Sequence, residues 1–214
     1  GKALLRTCTN GASEFVTSIA MSVVSMLYNL QLMRYAGADG VAAYGVLMYV
    51  NYIFIAVFIG YSVGTAPLFG YNYGAQNHSE LHNLFRRSLW VVNVCGVVMF
   101  AVIQLLAGKC AAVFVGYDPE LMKMTTEAFH IYCCSFLFVG MSIFGSAFFT
   151  ALNNGLISAI ISFMRTLVFE VGAVLLLPLI FGIQGIWGSV VVAEVVSAIL
   201  TTGFLITKRS KYHY

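Results

Sequence analysis

Long apolar runs recur from one end of the chain to the other, and they constrain the fold more than any other feature of the sequence. A helix that crosses the hydrocarbon core of a bilayer needs about 20 mostly apolar residues. Six runs of about that length or longer are present, at positions 11–33, 41–69, 88–107, 128–152, 156–181 and 186–207. They are too long and too continuous for the short alternating strands of a membrane β-barrel. The sequence therefore predicts an all-α, polytopic membrane protein whose spans form a six-helix bundle.

The composition argues against most soluble functions. Only 9% of the 214 residues are charged, whereas about one quarter are charged in a typical soluble domain. Eleven basic residues against eight acidic ones give no strong positive field, so we expect no nucleic-acid partner. The five cysteines show no metal-binding spacing and no phosphate-binding or nucleophile motif occurs, so we expect no enzyme activity and no cofactor. Because the chain starts at Gly1 and shows no signal peptide, we expect it to be a piece of a longer polypeptide.

The basic residues predict how the bundle is oriented. Six crossings place both ends of the chain on the same side of the membrane. Seven lysine and arginine residues flank the spans on that side, and three flank them on the other side. Because cytoplasmic loops are enriched in basic residues, we expect both ends and the loop at 70–87 to be cytoplasmic. Leucine and phenylalanine at helical spacing in the second half of that loop predict a segment lying along the membrane surface. Between the third and fourth runs, Asp118 and Pro119 predict a helix N-terminus.

Three carboxylates lie inside the apolar runs. They are Glu14 in the first run, Glu170 in the fifth and Glu194 in the sixth, where Ser197 and Thr201 share its helix face. A charged residue at the centre of a span costs about 2.5–3.5 kcal/mol on insertion scales, so each one requires a reason. We predict that Glu14 lies at a cation or proton site and that Glu170 and Glu194 can be protonated in place and carry protons. The alternative is a neutral carboxyl group that hydrogen-bonds a neighbouring helix as a structural contact.

Glu14 belongs to a polar stripe along the first run. The stripe combines small and polar residues within one arc of the helix, namely Gly11, Glu14, Ser18, Ser22, Ser25 and Asn29. A tight helix seam explains the small residues but not the carboxylate, which favours a polar cavity. Aromatic rings bind flat apolar cations well. The predicted lining of a substrate cavity therefore consists of Ser18, Ser25, Asn29, Asn51, Phe148 and Phe149.

Two further features of the spans have simpler interpretations. Gly64 and Gly74 lie on either side of Pro67 at the end of the second run, which predicts close packing or gating at a bent helix end. Arg165 lies toward the cytoplasmic end of the fifth run, and we expect its side chain to extend outward in a structural role. His130 has no other ligand at metal-binding spacing and is expected to be structural.

Several segments resemble one family of transporters. The end of the second run and the loop after it, residues 60–77, read GYSVGTAPLFGYNYGAQN. This run resembles the signature that closes the second helix of each lobe in the multidrug and toxic compound extrusion (MATE) family. Residues 13–33 with 37–46 resemble the seventh helix and following loop of bacterial members, and residues 182–194 resemble the entry into the twelfth helix. The resemblance covers essentially the whole chain in the right order.

The resemblance implies an architecture and an activity. Family members have twelve helices in two six-helix lobes related by pseudo-two-fold symmetry, and this chain corresponds to the C-terminal lobe, with the N-terminal lobe as its partner in the same polypeptide. The family exports lipophilic, often cationic, drugs in exchange for sodium ions or protons, through a central cavity that opens alternately inward and outward. The acidic residue of the seventh helix falls on Glu14, which the resemblance makes a cation- or proton-coupling residue and a candidate sodium ligand. The glutamate of the twelfth helix falls on Glu194. The likeness to bacterial members implies a location in the plasma membrane of a bacterium.

One departure from the family pattern bears on the coupling ion. Some members have an acidic residue in the tenth helix as part of a sodium site, but the matching run at 128–152 has none. This departure argues against a complete sodium site in the lobe and favours protons. The alternatives are a flippase for a lipid-linked sugar, which needs a cationic cavity, and a non-transporting structural or receptor bundle, which leaves the carboxylates without a role. A membrane-embedded enzyme needs a catalytic constellation that the spans do not contain.

Overall fold

The computed structural model describes the backbone of residues 2–212 and 214 and the side chains of residues 19–210, 212 and 214. The described chain folds into helices joined by tight turns, which confirms the all-α prediction. The helices in chain order are α1 (Lys2–Gly74), α2 (His78–Val115), α3 (Pro119–Tyr132), α4 (Phe136–Ala151), α5 (Gly155–Phe163), α6 (Val171–Leu176), α7 (Pro178–Phe181) and α8 (Ile183–Tyr212). A 3₁₀ turn, Cys133–Ser135, joins α3 to α4, and a π-helical segment, Met164–Glu170, joins α5 to α6.

Gly37 divides the longest helix into two arms. The apolar part of α1, Ile19–Gly74, has 56 residues, which at about 1.5 Å per residue is far longer than a hydrocarbon core of about 30 Å. Gly37 has φ 64° and ψ −152°, a conformation outside the helical region. Counted as continuous segments, five helical stretches of the described chain are long and apolar enough to cross a membrane. Counting the two arms of α1 separately makes this architecture agree with the six predicted spans.

The connection between the second and third spans is shorter than the predicted loop at 70–87. Helix α1 continues to Gly74, and α2 begins at His78. The side chain of Asn77 accepts a hydrogen bond from the Glu80 backbone N–H at 3.3 Å, which caps the new helix at once. Leu81 is fully buried in the bundle. The segment predicted to lie along the membrane surface is therefore the first part of a spanning helix.

The opposite connection between α2 and α3 follows the sequence pattern closely. The Asp118 side chain accepts hydrogen bonds from the backbone N–H groups of Glu120 and Leu121, at 2.9 and 3.2 Å. Pro119 occupies the first turn, where the missing N–H costs nothing. The predicted helix N-terminus is confirmed. Since α3 leads through the 3₁₀ turn into α4, the fourth span begins well before the predicted start at position 128.

Helix α4 lies at the centre of the bundle and packs against α1, α2, α5 and α8. Its rings form an aromatic cluster with neighbouring helices. The Phe148 ring centroid lies 5.0 Å from that of Phe69 on α1, 4.9 Å from that of Phe85 on α2 and 4.8 Å from that of Tyr214. Such offset and edge-to-face pairs each add about 0.5–1.5 kcal/mol beyond area burial. The cluster fixes the end of the bundle at which the chain terminates.

Glycines let the helices approach closely where the bundle is tightest. A Cβ at Gly96 of α2 would lie 2.6 Å from the Phe136 carbonyl oxygen of α4, and one at Gly140 would lie within 3 Å of the Phe58 ring. Because lipid gives apolar helices no hydrophobic reason to associate, such close van der Waals contact is the main attraction between them. The lobe therefore depends on small residues at specific crossings.

Replacing Gly96 with Ala should destabilise the protein, because backbone on both sides of the contact resists movement. We expect a cost of about 1–3 kcal/mol, as for other overpacked interiors. Gly108→Ala is the matched control, since Gly108 lies in the same helix with no atom near its Cβ position. Alanine there should be neutral or stabilising by up to about 1 kcal/mol. Thermal unfolding in detergent measures both, and equal melting temperatures would contradict the packing argument.

Candidate functional site

An ion pair joins the fifth and sixth predicted spans in the interior of the bundle. The Nη2 and Nε atoms of Arg165 lie 2.7 and 2.8 Å from Oε1 of Glu194 on α8. The side chains are 22% and 6% exposed, respectively. The prediction that Arg165 extends outward alone is therefore wrong. An isolated cation in a span is costly, and a carboxylate on the neighbouring helix removes that cost more effectively than distant solvent does.

The ion pair leaves one carboxylate oxygen free. Both guanidinium contacts go to Oε1, while Oε2 of Glu194 is buried with no hydrogen-bond partner among the described residues. A carboxylate normally accepts bonds on both oxygens. Leaving a buried acceptor unsatisfied costs about 1–3 kcal/mol, and the cost is higher when the group is charged. Oε2 therefore offers a binding position for a proton, a cation or water.

Glu170 lies beside the ion pair but forms no contact of this kind. It ends the π-helical segment, is partly buried, and makes no hydrogen bond or ion pair with any described residue. Its carboxylate is close enough to Glu194 and Arg165 to interact electrostatically with both. Because Arg165 is engaged by Glu194, the three groups together carry one uncompensated negative charge when both carboxylates are ionised. The cluster is therefore suited to attract a cation.

The local backbone around these groups is unusual. Arg165 and Glu170 both belong to the π-helical segment Met164–Glu170. A π-helical turn inserts an extra residue into an α-helix and occurs frequently at functional sites. The extra residue changes the direction of the side chains that follow, relative to a regular α-helix.

Tyrosines surround the charged cluster from the other helices. Tyr28 on α1 is fully buried, stacks on Tyr44 at a centroid distance of 5.2 Å, and hydrogen-bonds Ser189 of α8 at 2.9 Å. Tyr28, Tyr44 and Tyr132 all interact electrostatically with Glu170. The cluster is thus bordered by hydroxyl-bearing rings instead of purely apolar side chains.

The predicted polar stripe of the first span can be followed only in part. Glu14 and Ser18 lie outside the residues whose side chains are described. Further along the stripe, Ser25 is exposed, and Asn29 is partly exposed and donates a hydrogen bond to the Ser25 carbonyl at 2.9 Å. The buried face of this arm consists of other residues, namely Ala20, Val24, Tyr28 and Leu32. The described part of the stripe therefore lies on an open face of the bundle, not in a seam within it.

Three residues predicted to line a substrate cavity lie elsewhere. Phe148 and Phe149 are almost fully buried, in the aromatic cluster and the core beside it. Asn51 is buried on the same face of α1 as Phe58 and Ser62. The structure therefore places these side chains inside the bundle and does not support a cavity-lining role. Hydropathy alone could not separate the two faces, because lipid-facing and core-facing positions are both apolar.

The glycine and proline signature is packed more loosely than expected. A Cβ added at Gly64 or Gly74 would have no described atom within 4 Å, and Pro67 is exposed within a continuous helix. Of the glycines near Pro67, Gly70 touches another helix, where its Cβ position lies 3.5 Å from the Ala151 carbonyl oxygen. The described residues of this bundle therefore do not pack closely against Gly64 and Gly74.

Other chemistry-bearing residues have structural partners. His130 Nδ1 lies 2.7 Å from Gln104 Oε1, and Gln104 also donates to the His130 carbonyl at 3.2 Å. Within the described part of the chain, no group of three or more His, Cys, Asp or Glu side chains is arranged to hold a metal ion. The sequence pattern missed the pairing of Arg165 with Glu194. The only signal for it was that a cation within a span requires a nearby anion.

Comparison with known proteins identifies the family. The MatE family model matches residues 15–175, well over half of the chain. The chain belongs to the MATE family. This is a family of membrane transporters and not of enzymes. The match includes the Arg165 and Glu170 positions and ends before Glu194.

Similar proteins extend the comparison over nearly the whole chain. The multidrug export protein MepA of Staphylococcus haemolyticus is 25% identical over 204 residues, which are 94% of this chain and 44% of that protein. An inward-facing multidrug resistance MATE family transporter of the MOP superfamily has a TM-score of 0.89 at 20% identity, covering 99% of this chain and 49% of its own. An outward-facing structure of such a transporter has a TM-score of 0.86 at 21% identity, covering 94% and 46%. The chain thus spans about half the length of these relatives.

Removing one member of the ion pair should cost more than removing both. Arg165→Met leaves Glu194 buried beside no cation, and loss of one partner of a buried pair costs about 3–5 kcal/mol. Adding Glu194→Met restores charge balance, so the double variant should regain most of the lost stability. Thermal unfolding of both single variants and the double variant in detergent measures the interaction free energy between the two side chains. Additive losses would show that the pair does not stabilise the bundle as a unit.

Proposed function

We propose that the chain is the C-terminal six-helix lobe of a secondary antiporter. The complete transporter exports lipophilic, cationic drugs from a bacterial cell in exchange for protons or sodium ions. The observation that carries this proposal is Glu170, a carboxylate within a span that has no partner among the described residues and lies beside an ion pair already balanced in charge. If Glu170 had only a structural role, its carboxylate would be expected to contact a partner side chain on a neighbouring helix.

The coupling ion acts at Glu170 by changing its charge. When the carboxylate is empty, the site carries one net negative charge and attracts either the coupling ion or a cationic drug. Both cannot occupy it favourably, since the first to bind neutralises the charge. A ligand shifts a conformational equilibrium only through its differential affinity for the two states. Exchange of drug for ion then follows from their competition for one carboxylate.

The open face of the first span supplies the wall of the drug cavity. Ser25 and Asn29 are accessible there, and the same stripe continues toward Ser18 and Glu14. In this proposal the face borders the N-terminal lobe, and Glu14 is a second coupling residue and candidate sodium ligand. The loosely packed glycines Gly64 and Gly74 also face outward from the bundle, where a partner lobe would meet them.

The lobe moves as a unit during alternating access. Its fold matches transporter structures of both inward-facing and outward-facing form, with TM-scores of 0.89 and 0.86. An internal rearrangement large enough to reverse access would lower one of these similarities more strongly. The access change in the proposal is therefore a relative movement of two lobes, with the occupancy of Glu170 biasing the direction.

The rival functions receive less support from the same residues. A flippase for a lipid-linked sugar needs a free cation for the phosphate group, but Arg165 is engaged by Glu194. A purely structural or receptor bundle leaves Glu170 unpaired at a cost of about 2.5–3.5 kcal/mol for a charge at mid-span. Ion-coupled export explains why an unpaired carboxylate is kept in a span despite this cost.

Transport by the complete protein should depend on Glu170. In cells or proteoliposomes, Glu170→Gln should reduce ion-driven drug efflux by roughly 5- to 150-fold, the usual range for a coupling free energy of 1–3 kcal/mol. Glu127→Gln is the control, because that carboxylate lies near the end of α3, away from the ion pair. Equal efflux and equal ion dependence in the two variants would rule out Glu170 as the coupling site.

The proposed orientation places the first part of α2, which includes Arg87, toward the cytoplasm and Lys123 outside. In intact cells, with the native cysteines replaced, Lys123→Cys should react with a membrane-impermeant maleimide, and Arg87→Cys should react only after the membrane is opened. Neither position is buried in the bundle, so reactivity reports sidedness and not burial. The reverse pattern would invert the proposed topology.

A further inference from the structure

Hydroxyl groups of α4 and α5 form a continuous hydrogen-bonded cluster. Ser146 Oγ lies 2.8 Å from Ser158 Oγ and 3.0 Å from Ser162 Oγ. Thr150 donates a hydrogen bond to Ser158 Oγ at 2.8 Å. Thr150 is exposed and lies next to the turn between α4 and α5, while Ser146 and Ser162 are half-buried. The hydroxyl groups therefore lead from the surface into the bundle.

The polar face of α5 continues as far as the ion pair. Ser158, Ser162 and Arg165 follow one another at spacings of four and three residues, which keeps them on one side of a helix. At about 1.5 Å per residue, Ser162 lies about 10 Å and Arg165 about 15 Å along the axis from the start of α5. The guanidinium group then reaches Glu194 on α8. The two serines that α5 contributes to the hydroxyl cluster thus share one helix face with the arginine that binds the buried carboxylate.

Helices α4 and α8 supply the other two sides of this interior. On α4, Ser142 lies one turn from Ser146, with Gly145 between them. A side chain at Gly145 would collide with Thr201 of α8, so the glycine allows α8 to approach at this level. We name the polar groups on these facing elements the polar seam; its members are Ser142, Ser146, Thr150, Ser158, Ser162, Arg165, Glu194, Ser197 and Thr201.

Four polar atoms of the polar seam are buried without a partner in the described structure. They are Ser142 Oγ, Ser197 Oγ, Thr201 Oγ1 and Glu194 Oε2. Each such atom loses its hydrogen bonds to water on burial and gains none in return, which destabilises the fold. Hydrogen bonding between helices accounts for the cluster around Ser146 but leaves these four atoms unexplained. Buried polar groups of this kind in folded proteins are generally satisfied by ordered water or an ion.

We propose that the polar seam is a hydrated path that admits water and a small monovalent cation from the α4–α5 turn to the free oxygen of Glu194. Hydroxyl and carboxylate oxygens are hard ligands suited to such cations. Arg165 and Glu170 are the charged groups at its inner end. Only the identity of the cation rests on the proposed antiport function; the hydration of the polar seam stands separately.

Silver ion is a suitable probe, because it is a small monovalent cation that reacts with thiols. With the native cysteines replaced in the complete protein, Ser162→Cys and Ser142→Cys should react with silver nitrate at least about tenfold faster than Ile161→Cys. Ile161 is fully buried next to Ser162 but outside the polar seam, so its cysteine reacts only through local opening. Normal elution on size-exclusion chromatography identifies folded variants.

The ionic composition distinguishes the possible occupants. If sodium enters the polar seam, sodium nitrate should slow the Ser142→Cys reaction relative to choline nitrate at equal ionic strength. The alternative result is that Ser142→Cys reacts with silver equally fast in both salts while still reacting tenfold faster than Ile161→Cys. That result would assign the path to water and protons. Reaction of both seam cysteines no faster than Ile161→Cys would overturn the proposal.

An unmutated protein provides a second measurement. A structure of the wild-type transporter at a resolution that shows water should contain density between Glu194 Oε2 and the hydroxyl groups of Ser142 or Ser197. A dry interior there would also overturn the proposal. The transport test at Glu170 is separate, since the polar seam can take up silver whether or not Glu170 couples transport.

Discussion

Compensation of charge within hydrocarbon is the constraint on which the rest of this structure depends. Arg165 and Glu194 are each unfavourable alone in a span, and their contact at 2.7 Å gives each the counter-charge that lipid cannot supply. The contact also fixes the relative position of the π-helical segment and α8. Glu170 is then left without a cation of its own among the described residues. One fixed pair therefore produces both a rigid contact and an adjacent acceptor that remains available.

Close approach of helices makes this arrangement possible. In lipid, helices associate through packing and hydrogen bonds and not through burial of apolar surface from water. Gly96, Gly140 and Gly145 remove side chains at the crossings that involve α4, so α2, α1 and α8 can surround it. The same closeness brings the hydroxyl groups of three helices together. Small residues in the bundle interior thus let the helices approach, and polar residues hydrogen-bond between the helices that have approached.

The sequence predicted local features well and long-range pairing poorly. Length and apolarity predicted the spans, and the Asp118–Pro119 pair predicted the start of α3, because both depend on neighbouring residues alone. The pairing of Arg165 with Glu194 depends on how two helices face each other, which one sequence does not specify. The burial of Phe148 and Asn51 within the bundle was not predicted, for the same reason. Where lipid and core are both apolar, periodicity identifies a helix but not its inner face.

The contrast between the two interior glutamates explains how a stable lobe can also respond to an ion. Glu194 is held by Arg165 on a separate helix, so loss of its charge would weaken a contact that joins two spans. Glu170 has no such contact, and a change in its charge alters the electrostatics of the site without breaking the bundle. In the proposed antiporter, an ion that binds at Glu170 biases the position of the whole lobe, whereas one that displaced Arg165 would first have to offset the stability of the pair. Under the proposed antiport function, the paired carboxylate preserves the fold and the unpaired one provides the differential affinity that a population shift requires.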